Sequence, residues 1–565
     1  MPTSTLSRSR LLERLGAPVD PAALEAALFA SKAEAEVGDA DDVVVSVTPD
    51  RLDLLSEGGL ALHLEGALGR ARGGVRLRRA RTTVDPLRLA VDPSVVPLRP
   101  YIAGVEVRAP TGRPLDDGLL AEAIRFQEVI HATVGRSRRA MSLGIYPARR
   151  LRSPIRYALE PATGVEFVPL DGEGPVGADR FYAEHPLARS FGGFGRAGDR
   201  VLTLRDASGA VLSLPPVLNS RTSGAAAPGD RSLLLEATGT RERAVRDGLG
   251  LLLVVFASRG WAVRPVPIDG PGEQRAEAER PLPGRSLELP ASVLATISGE
   301  RTASSTVVDR LAHSRLTARR VRGGWRVAVP PWRPDLLAAV DLAEEVVLAG
   351  GVRPEDGVVP ATETRGARSD SSLFHRRFRD LLLGLGFVEP LTTVLVGDAS
   401  ADRLAAGSAI RVANPVSREF SVVRDRLLIS HLEVLARNTR HAYPQRFAEV
   451  APVVVRSTAV ETGGATRYRA GVVVAGEGAG FAEVASVVDS LLRALDVGSV
   501  REPTELPGTI PGRAARVRVA GEAVAEVGEI APALLAELRV PVPAAYAEID
   551  LTALEPLAAS RVSTK

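Results

Sequence analysis

Cysteine is absent from the 565-residue chain. That excludes disulfides, thiolate zinc sites and cysteine nucleophiles together. Any metal must be held by oxygen ligands or by the seven histidines, which are scattered and form no H-x-x-x-H pair. Lysine is nearly absent, with only Lys32 and Lys565, so the cationic residues are almost all arginine. Long apolar runs are lacking too. The longest, around Leu249–Ala257, is too short to cross a bilayer, and the opening MPTSTLSRSRLLERLG has no signal-peptide apolar region. A cytoplasmic protein with no membrane partner is the expectation. The net charge of +3 gives no strong overall attraction to nucleic acid. Arginines do cluster at Arg136–Arg139, Ala148–Arg152 and Ala318–Arg322, as solvated faces or as contacts to an RNA backbone.

What is present is enough for several cores. Apolar residues make up 45% and charged residues 25%, as in ordinary soluble proteins, and the length calls for three to five domains. The first segment runs to about residue 90. LLERLG reads as a short helix, PAALEAALFASKAEAEV as a longer one starting at Pro21, and VVVSV at Val43–Val47 as a strand. TPDRLDLLSEGGLALHLEGALG follows as a turn and a helix ending at Gly69. The second segment, about 91–275, is mixed α/β. YIAGVEV alternates like a strand, and LLAEAIRFQEVIHATVG has helical spacing with apolar Leu120, Ile124, Phe126 and Ile130. VLTLRDASGAVLSLPPVLNS reads as a hairpin turning at Asp206–Gly209, and DGLGLLLVVFASRGW as a buried helix. A polar linker, GPGEQRAEAERPLPGR, precedes a compact module reaching about residue 356, read as two helices, the strand WRVAVP and a long helix. A second linker, ATETRGARSDSS, leads to a last domain at 368–565 ending in the strands RVRVAG, AVAEVGEI and AAYAEID. No internal repeat is evident.

The stretch Asp335–Gly351 carries the densest acidic constellation. Asp335 is placed to cap a helix beginning at Leu336, and Gly350 and Gly351 to end it. Leu336, Val340, Ala343 and Val347 then form one stripe. Asp341, Glu344 and Glu345 share a flank, where like charges repel by a few tenths of a kcal/mol per pair. A compensating positive charge is expected. A hard divalent cation suits carboxylates; from the spacing alone, a solvated acidic face or salt bridges to a partner's arginines is the preferred reading.

Several blocks, in order, resemble one family. TPDRLDLLSEGGLALHLEG is similar to the N-terminal DRPDLLS block of archaeal/eukaryotic-type phenylalanyl–tRNA synthetase β subunits. LSLPPVLNS with LLLEATGT resembles their B3/B4 editing domain, and PPWRPDLLAAVDLAEEVVLAGGV their B5 domain. VANPVSREFSVVRDRLLISHLEVLARNTRHAYPQRFAEV and FAEVASVVDSLL with IPGRAARVRVAG resemble the catalytic-like B6/B7 module. The resemblance covers essentially the whole chain. It implies an α+β multidomain protein: a small α/β B1-like domain at 1–90, an editing domain at 91–275, a winged-helix-like B5 domain at 276–356 and a class II synthetase-like antiparallel sheet with helices at 368–565. It further implies an α subunit partner in an (αβ)₂ heterotetramer, tRNA(Phe), ATP used by the complex, and Mg²⁺ at Asp335, Asp341, Glu344 and Glu345. The implied function is support of charging by α together with hydrolysis of tyrosyl-tRNA, with Leu204, Ser213, Asn219, Glu236 and Thr238 as the editing pocket.

There are departures. Glu236 stands where aspartate is usual, Leu52 where proline is, Ser430 and His431 interrupt an LLPGLL-type helix, and FAEVAPVV replaces an acidic FEVGDVV strand. They leave a second reading, a non-ligase paralogue acting as a free-standing tRNA deacylase or a binding module. The class II F-R-x-E and G-x-x-R patterns are missing: Arg379, Arg424 and Arg513 lack the usual acidic partner in sequence. No G-x-x-x-x-G-K-[ST] loop occurs. The stretch Val422–Tyr443 therefore reads as a helix packing on another synthetase-like module, not as a nucleotide cradle.

Overall fold

The computed structural model describes residues 2–16, 19–37, 41–80, 86–270, 285–351, 359, 365–404 and 409–562. The chain divides into two compact units, Met1–Val358 and Val359–Lys565. Among the described residues no helix is long and apolar enough to cross a membrane. The first polar linker, at 271–284, lies outside the described residues, as do residues 361–364 of the second.

The first unit opens with the expected helix, Arg8–Leu15, capped by the Ser7 side chain and closed by Gly16 in the left-handed region. The next helix is shorter than its sequence suggests, covering Pro21–Ala30. The AEAEV that continues it is a strand, Ala33–Val37, paired antiparallel with Asp42–Val47. Alanine and glutamate favour a helix locally, but the alternation lets Ala33 bury while Glu34 is exposed, and the pairing prevails. Asp42–Val47 also pairs with Thr3–Ser7, making a three-stranded sheet. Among the described residues before 90 there is no separate core. Leu6, Leu11, Val45, Leu54 and Leu64 belong to one apolar cluster with Val105, Phe126, Leu251 and Trp261.

Two sheets then face each other. The first is antiparallel, in the order Ala262–Pro265, Tyr101–Arg108, Ser232–Gly239, Met141–Pro147. Helices Asp117–Ala132 and Glu242–Ala257 back it. The second runs Leu218–Asn219, Val211–Leu214, Arg200–Arg205, Ile155–Pro161, Leu89–Val91, Ile268–Asp269, with Arg196–Ala197 beside Arg200–Arg205. Its hairpin turns where expected: Asp206 Oδ1 accepts from the amides of Ser208 and Ala210, and Gly209 has φ +85°. Ile102, Tyr146 and Leu234 of the first sheet share a core with Tyr157, Leu202, Leu204 and Leu212 of the second. In the helix Asp117–Ala132, Phe126 and Ile130 are buried as expected, but Leu120 is only half-buried and Ile124 is exposed. The inward face is completed by Leu119 and Ala123.

The last part of this unit sets helices Ala291–Ser298, Ser304–His313 and Ala339–Ala349 against a three-stranded antiparallel sheet. Its order is Arg285–Pro290, Gly324–Val329, Thr317–Val321. The two outer strands were not evident from sequence: both are short and mostly solvent-facing, with Leu289 the one buried residue of Arg285–Pro290 and none buried in Thr317–Val321.

The second unit is built on a six-stranded antiparallel sheet. Its order is Gln445–Arg456, Gly464–Ala475, Ala544–Asp550, Glu522–Ile530, Thr509–Val519, Val500–Pro503. Period-two alternation splits its side chains between two cores. Val472 and Val474 pack with helices Asp370–Gly384, Phe481–Ala494 and Leu551–Val562, while Val473 and Ala475 pack with Leu427–Arg437. The expectation that Val422–Tyr443 reserves its apolar face for another module is therefore corrected. Leu428, Ile429, Leu432 and Leu435 are buried against this chain's own sheet.

Candidate functional site

A cavity of about 260 Å³ opens beside the two facing sheets, lined by Leu120, Ile124, His131, Tyr146, Ser213, Asn219 and Glu236 among others. It exceeds the roughly 150 Å³ that holds a benzene ring in a protein interior. One aromatic side chain with polar atoms attached is the matching size. Leu120 and Ile124 now have a reason to leave the core, since they form the apolar wall.

Three of the five expected pocket residues line the cavity. Ser213 and Asn219 are cross-strand partners on Val211–Leu214 and Leu218–Asn219, and Asn219 Nδ2 donates to Gly224 O at 3.2 Å. Glu236 comes from the opposite sheet, between Gly104 and Gly144 on its neighbouring strands. Its side chain is buried, and burial pushes its carboxyl up to about 8. The Oε1 atom has no hydrogen-bond partner. The other two expected residues do not line the cavity, although, against the larger effect of burial, Tyr146, Arg99 and the Thr238 hydroxyl lower the pKa of the Glu236 carboxyl. Leu204 is fully buried in the inter-sheet core. Thr238 accepts from the buried Arg99 guanidinium, Nε to Oγ1 at 3.2 Å and Nη2 to its carbonyl at 2.8 Å.

Sequence reading missed three residues here. Tyr146 Oη sits 2.9 Å from Ser213 Oγ and donates to Glu236 Oε2 at 3.2 Å. Arg99 also reaches Ser142 Oγ and the carbonyls of Arg138 and Arg139. His131 accepts from the Leu143 amide through Nε2 at 2.8 Å, and its Nδ1 faces Glu128 Oε1 at 3.1 Å. Burial lowers its pKa, so it is a neutral imidazole with both nitrogens engaged and is no free base. Arg138 closes this edge, paired with Glu128 and stacked on Phe191. It follows Arg136 and Ser137 in three consecutive residues of positive φ, 48°, 55° and 64°, a strained backbone for non-glycine residues.

The four carboxylates assigned to magnesium do not converge. The helix begins at Ala339, not Leu336, with Ala338 as N-cap. Asp341 lies in the first turn and accepts from the amides of Leu337 and Ala338 at 2.7 and 2.8 Å. The buried face is Leu342, Ala343 and Val346, with Glu345 among them, while Val340 is exposed. Glu344 is half-exposed and pairs with Lys32 at 2.8 Å. Asp335 and Glu345 both bind Arg333. No group of three or more His, Asp or Glu side chains among the described residues is arranged to hold a metal ion. These residues do not fit Mg²⁺ as they stand, because arginine, lysine and backbone amides already supply the positive charge.

In the second unit, the three arginines considered for nucleotide binding are all engaged internally. Arg379 bonds Glu389 and the Val450 carbonyl, and Arg513 bonds Glu529 at 2.8 Å. Arg424, 1% exposed, donates to Thr392, Ser430 and the Pro452 carbonyl. Ser430 and His431, the departures from the family helix, are buried beside it, with His431 Nε2 3.6 Å from Glu449.

Comparison with known proteins places this architecture. Residues 287–351 match the tRNA synthetase B5 domain family, and residues 357–551 the phenylalanyl tRNA synthetase beta chain CLM domain family. The phenylalanine–tRNA ligase beta subunit of Korarchaeum cryptofilum is 30% identical over 98% of this chain and 98% of its own length. The chain belongs to the phenylalanine–tRNA ligase β subunits. The β subunit of Natronomonas pharaonis is 31% identical, covering 93% of this chain and 95% of its own, and that of Sulfurisphaera tokodaii 26% identical over 98% and 99%. An N-terminal fragment of the Pyrococcus horikoshii phenylalanyl-tRNA synthetase β subunit superposes with a TM-score of 0.56 at 23% identity. It covers 62% of this chain and all of the fragment, and shares the fold. This β subunit thus matches these relatives over nearly its whole length, and the departures at Leu52, Glu236, Ser430 and His431 sit within that likeness.

Proposed function

We propose that this β subunit joins an α subunit in an (αβ)₂ heterotetramer in the cytoplasm. There it supports ATP- and Mg²⁺-dependent charging of tRNA(Phe) by α, and it hydrolyses tRNA(Phe) mischarged with tyrosine. Phenylalanine and tyrosine differ by one hydroxyl, and an apolar pocket rejects an added hydroxyl by only about a hundredfold. A second site that reads the hydroxyl is the remedy. The observation that carries this reading is the unpartnered, buried Oε1 of Glu236 in a cavity sized for one aromatic ring. A carboxyl with its pKa near 8 is protonated at neutral pH, and a neutral acid both donates to and accepts from a phenol. Leu120 and Ile124 supply the apolar wall, and Asn219 and Ser213 the remaining polar edge.

The test is deacylation of preformed tyrosyl-tRNA(Phe) by the purified αβ complex. Glu236→Ala is expected to lower kcat/KM by about a hundredfold, the cost of losing a buried polar partner. Equal rates for the two proteins would remove the site.

A further inference from the structure

The polar end of the cavity already contains a phenol, the chain's own. Tyr146 lies two residues after Gly144 on Met141–Pro147, and its ring folds back over that glycine. A Cβ built at Gly144 would fall 2.2 Å from Tyr146 Oη and 2.5 Å from the ring. The same glycine is the cross-strand partner of Glu236, so its missing side chain makes the space through which Tyr146 reaches the carboxyl. Tyr146 is 1% exposed, and its hydroxyl spans the two sheets, from Glu236 on one to Ser213 on the other.

With the proton of the neutral Glu236 carboxyl on Oε1, the donor count fixes the direction of this chain. Tyr146 Oη donates to Glu236 Oε2, so its single proton is used. Ser213 must then be the donor to Tyr146. Ser213 is left with acceptor capacity only, Glu236 Oε2 is occupied, and Glu236 Oε1 remains buried and unpartnered at the cavity.

We propose that Tyr146 is a positioning residue that sets specificity: it ties down one oxygen of Glu236 and the donor of Ser213, leaving Glu236 Oε1 as the single reader of an incoming phenolic hydroxyl. The inference rests on the deacylase reading of the same cavity. A tyrosyl ligand completes Oε1, whereas a phenylalanyl ligand leaves it buried without a partner, and sites of that kind discriminate strongly. Without the Tyr146 hydroxyl the carboxyl is free to turn, both of its oxygens lack partners, and the preference weakens.

Tyr146→Phe keeps the ring and its packing and removes only the hydroxyl. With the αβ complex and preformed tyrosyl- and phenylalanyl-tRNA(Phe), the variant is expected to raise KM for the tyrosyl ester about tenfold, leaving kcat within about threefold and phenylalanyl hydrolysis unchanged. Ser213→Ala, which loosens the other end of the same strut, is expected to shift KM in the same direction. A second measurement separates the two proposals: binding of L-tyrosine methyl ester and L-phenylalanine methyl ester to the full chain by titration calorimetry. Wild type is expected to favour the tyrosine ester about tenfold or more, and Tyr146→Phe to lose that preference. If wild type hydrolyses no tyrosyl-tRNA yet shows this preference and the variant loses it, the deacylase reading fails and the role of Tyr146 stands. If the variant retains the wild-type tyrosine-to-phenylalanine ratio in both measurements, or wild type has no preference, the role of Tyr146 is overturned.

Discussion

Arg51 and Arg333 converge on one buried carboxylate, Glu345: the Arg333 guanidinium is 2.6 Å from Oε1 and that of Arg51 is 4.0 Å from the same atom. Each arginine also forks to the aspartate two residues on, Arg51 to Asp53 and Arg333 to Asp335. The motif R-x-D-L-L thus occurs twice, at 51–55 and 333–337, and the fold brings both copies to one glutamate. Burial holds the neighbouring His63 down at about 3, with the Arg51 charge adding to the effect, so that ring is neutral beside the arginines.

Removing the shared carboxylate leaves two buried guanidiniums undercompensated. Glu345→Gln is expected to destabilise the first unit by roughly 3–5 kcal/mol. Although burial alone raises it, the two arginines hold the Glu345 carboxyl below its ordinary value of 4.5. A depressed carboxylate contributes stability above its unfolded pKa and loses it as the pH falls through the folded one. Thermal unfolding of wild type should therefore weaken below about pH 4.5, with a shallower slope in Glu345→Gln. Parallel acid profiles for the two proteins would show that the network does not hold this carboxylate ionised.

The same geometry makes a prediction about metal. Lys32, Arg333 and backbone amides occupy the acidic residues, so no ion is needed to relieve their repulsion. The Tm of the full chain in EDTA and in millimolar Mg²⁺ should agree within about 1 °C. A rise in Tm with Mg²⁺ that the double variant Asp341→Asn, Glu344→Gln abolishes would mean that these side chains rearrange around a cation.

Glu236 titrates in the opposite sense. Its folded pKa, about 8, lies above the ordinary 4.5. The folded state therefore keeps a proton that the unfolded state releases, and stability falls as the pH rises between those values. Glu236→Gln has no such proton to lose. Relative to wild type it should gain on the order of 2–4 kcal/mol between pH 5 and pH 8, with no further gain above that. Hydrogen exchange at the amides of Ser232–Gly239 would measure it locally. A difference that does not change with pH would mean Glu236 is ionised in the folded protein.

Much of the fold was legible where a single period ran unbroken. Arg516–Val519 of the last domain alternates, with Val517 and Val519 buried, and the hairpin at Asp206–Gly209 has both its capping aspartate and its glycine. Ala33–Val37 was not legible, because Ala-Glu-Ala-Glu extends the preceding helical run and only pairing with Asp42–Val47 decides against it. The cavity was legible in part: Ser213, Asn219 and Glu236 meet in it, while Leu204 and Thr238 do not. Tyr146 gave no signal, since its role depends on a glycine two residues earlier and on a sheet formed by distant sequence. Arg99 lies in a proline-flanked loop whose partners are some forty and more residues away. The acidic helix misled because periodicity counts charges on a face and is silent about arginines delivered from elsewhere.

Adenylate formation is the step this chain should be unable to perform alone. Charge that builds on the transferred phosphorus is stabilised by positioned arginines and Mg²⁺. In the second unit the three arginines considered for that task already bond this chain's own groups. Arg379 is taken by Glu389, Arg513 by Glu529, and Arg424 is buried among Thr392, Ser430 and Pro452. Freeing Arg424 to meet a phosphate would strand the buried Glu449, whose carboxyl the surrounding His431, Thr392 and Arg424 hold below its ordinary value against the opposing effect of burial. Phenylalanine-dependent ATP–pyrophosphate exchange is thus expected only when α is present, with the lone chain at background, at least about a thousandfold below the complex. Arg424→Ala should not abolish exchange by the complex as loss of a phosphate-binding arginine would, though it should lower the stability of this unit by roughly 1–3 kcal/mol through the polar groups left unpaired. Exchange by the lone chain at a rate near that of the complex would mean that these arginines leave their internal partners for a nucleotide.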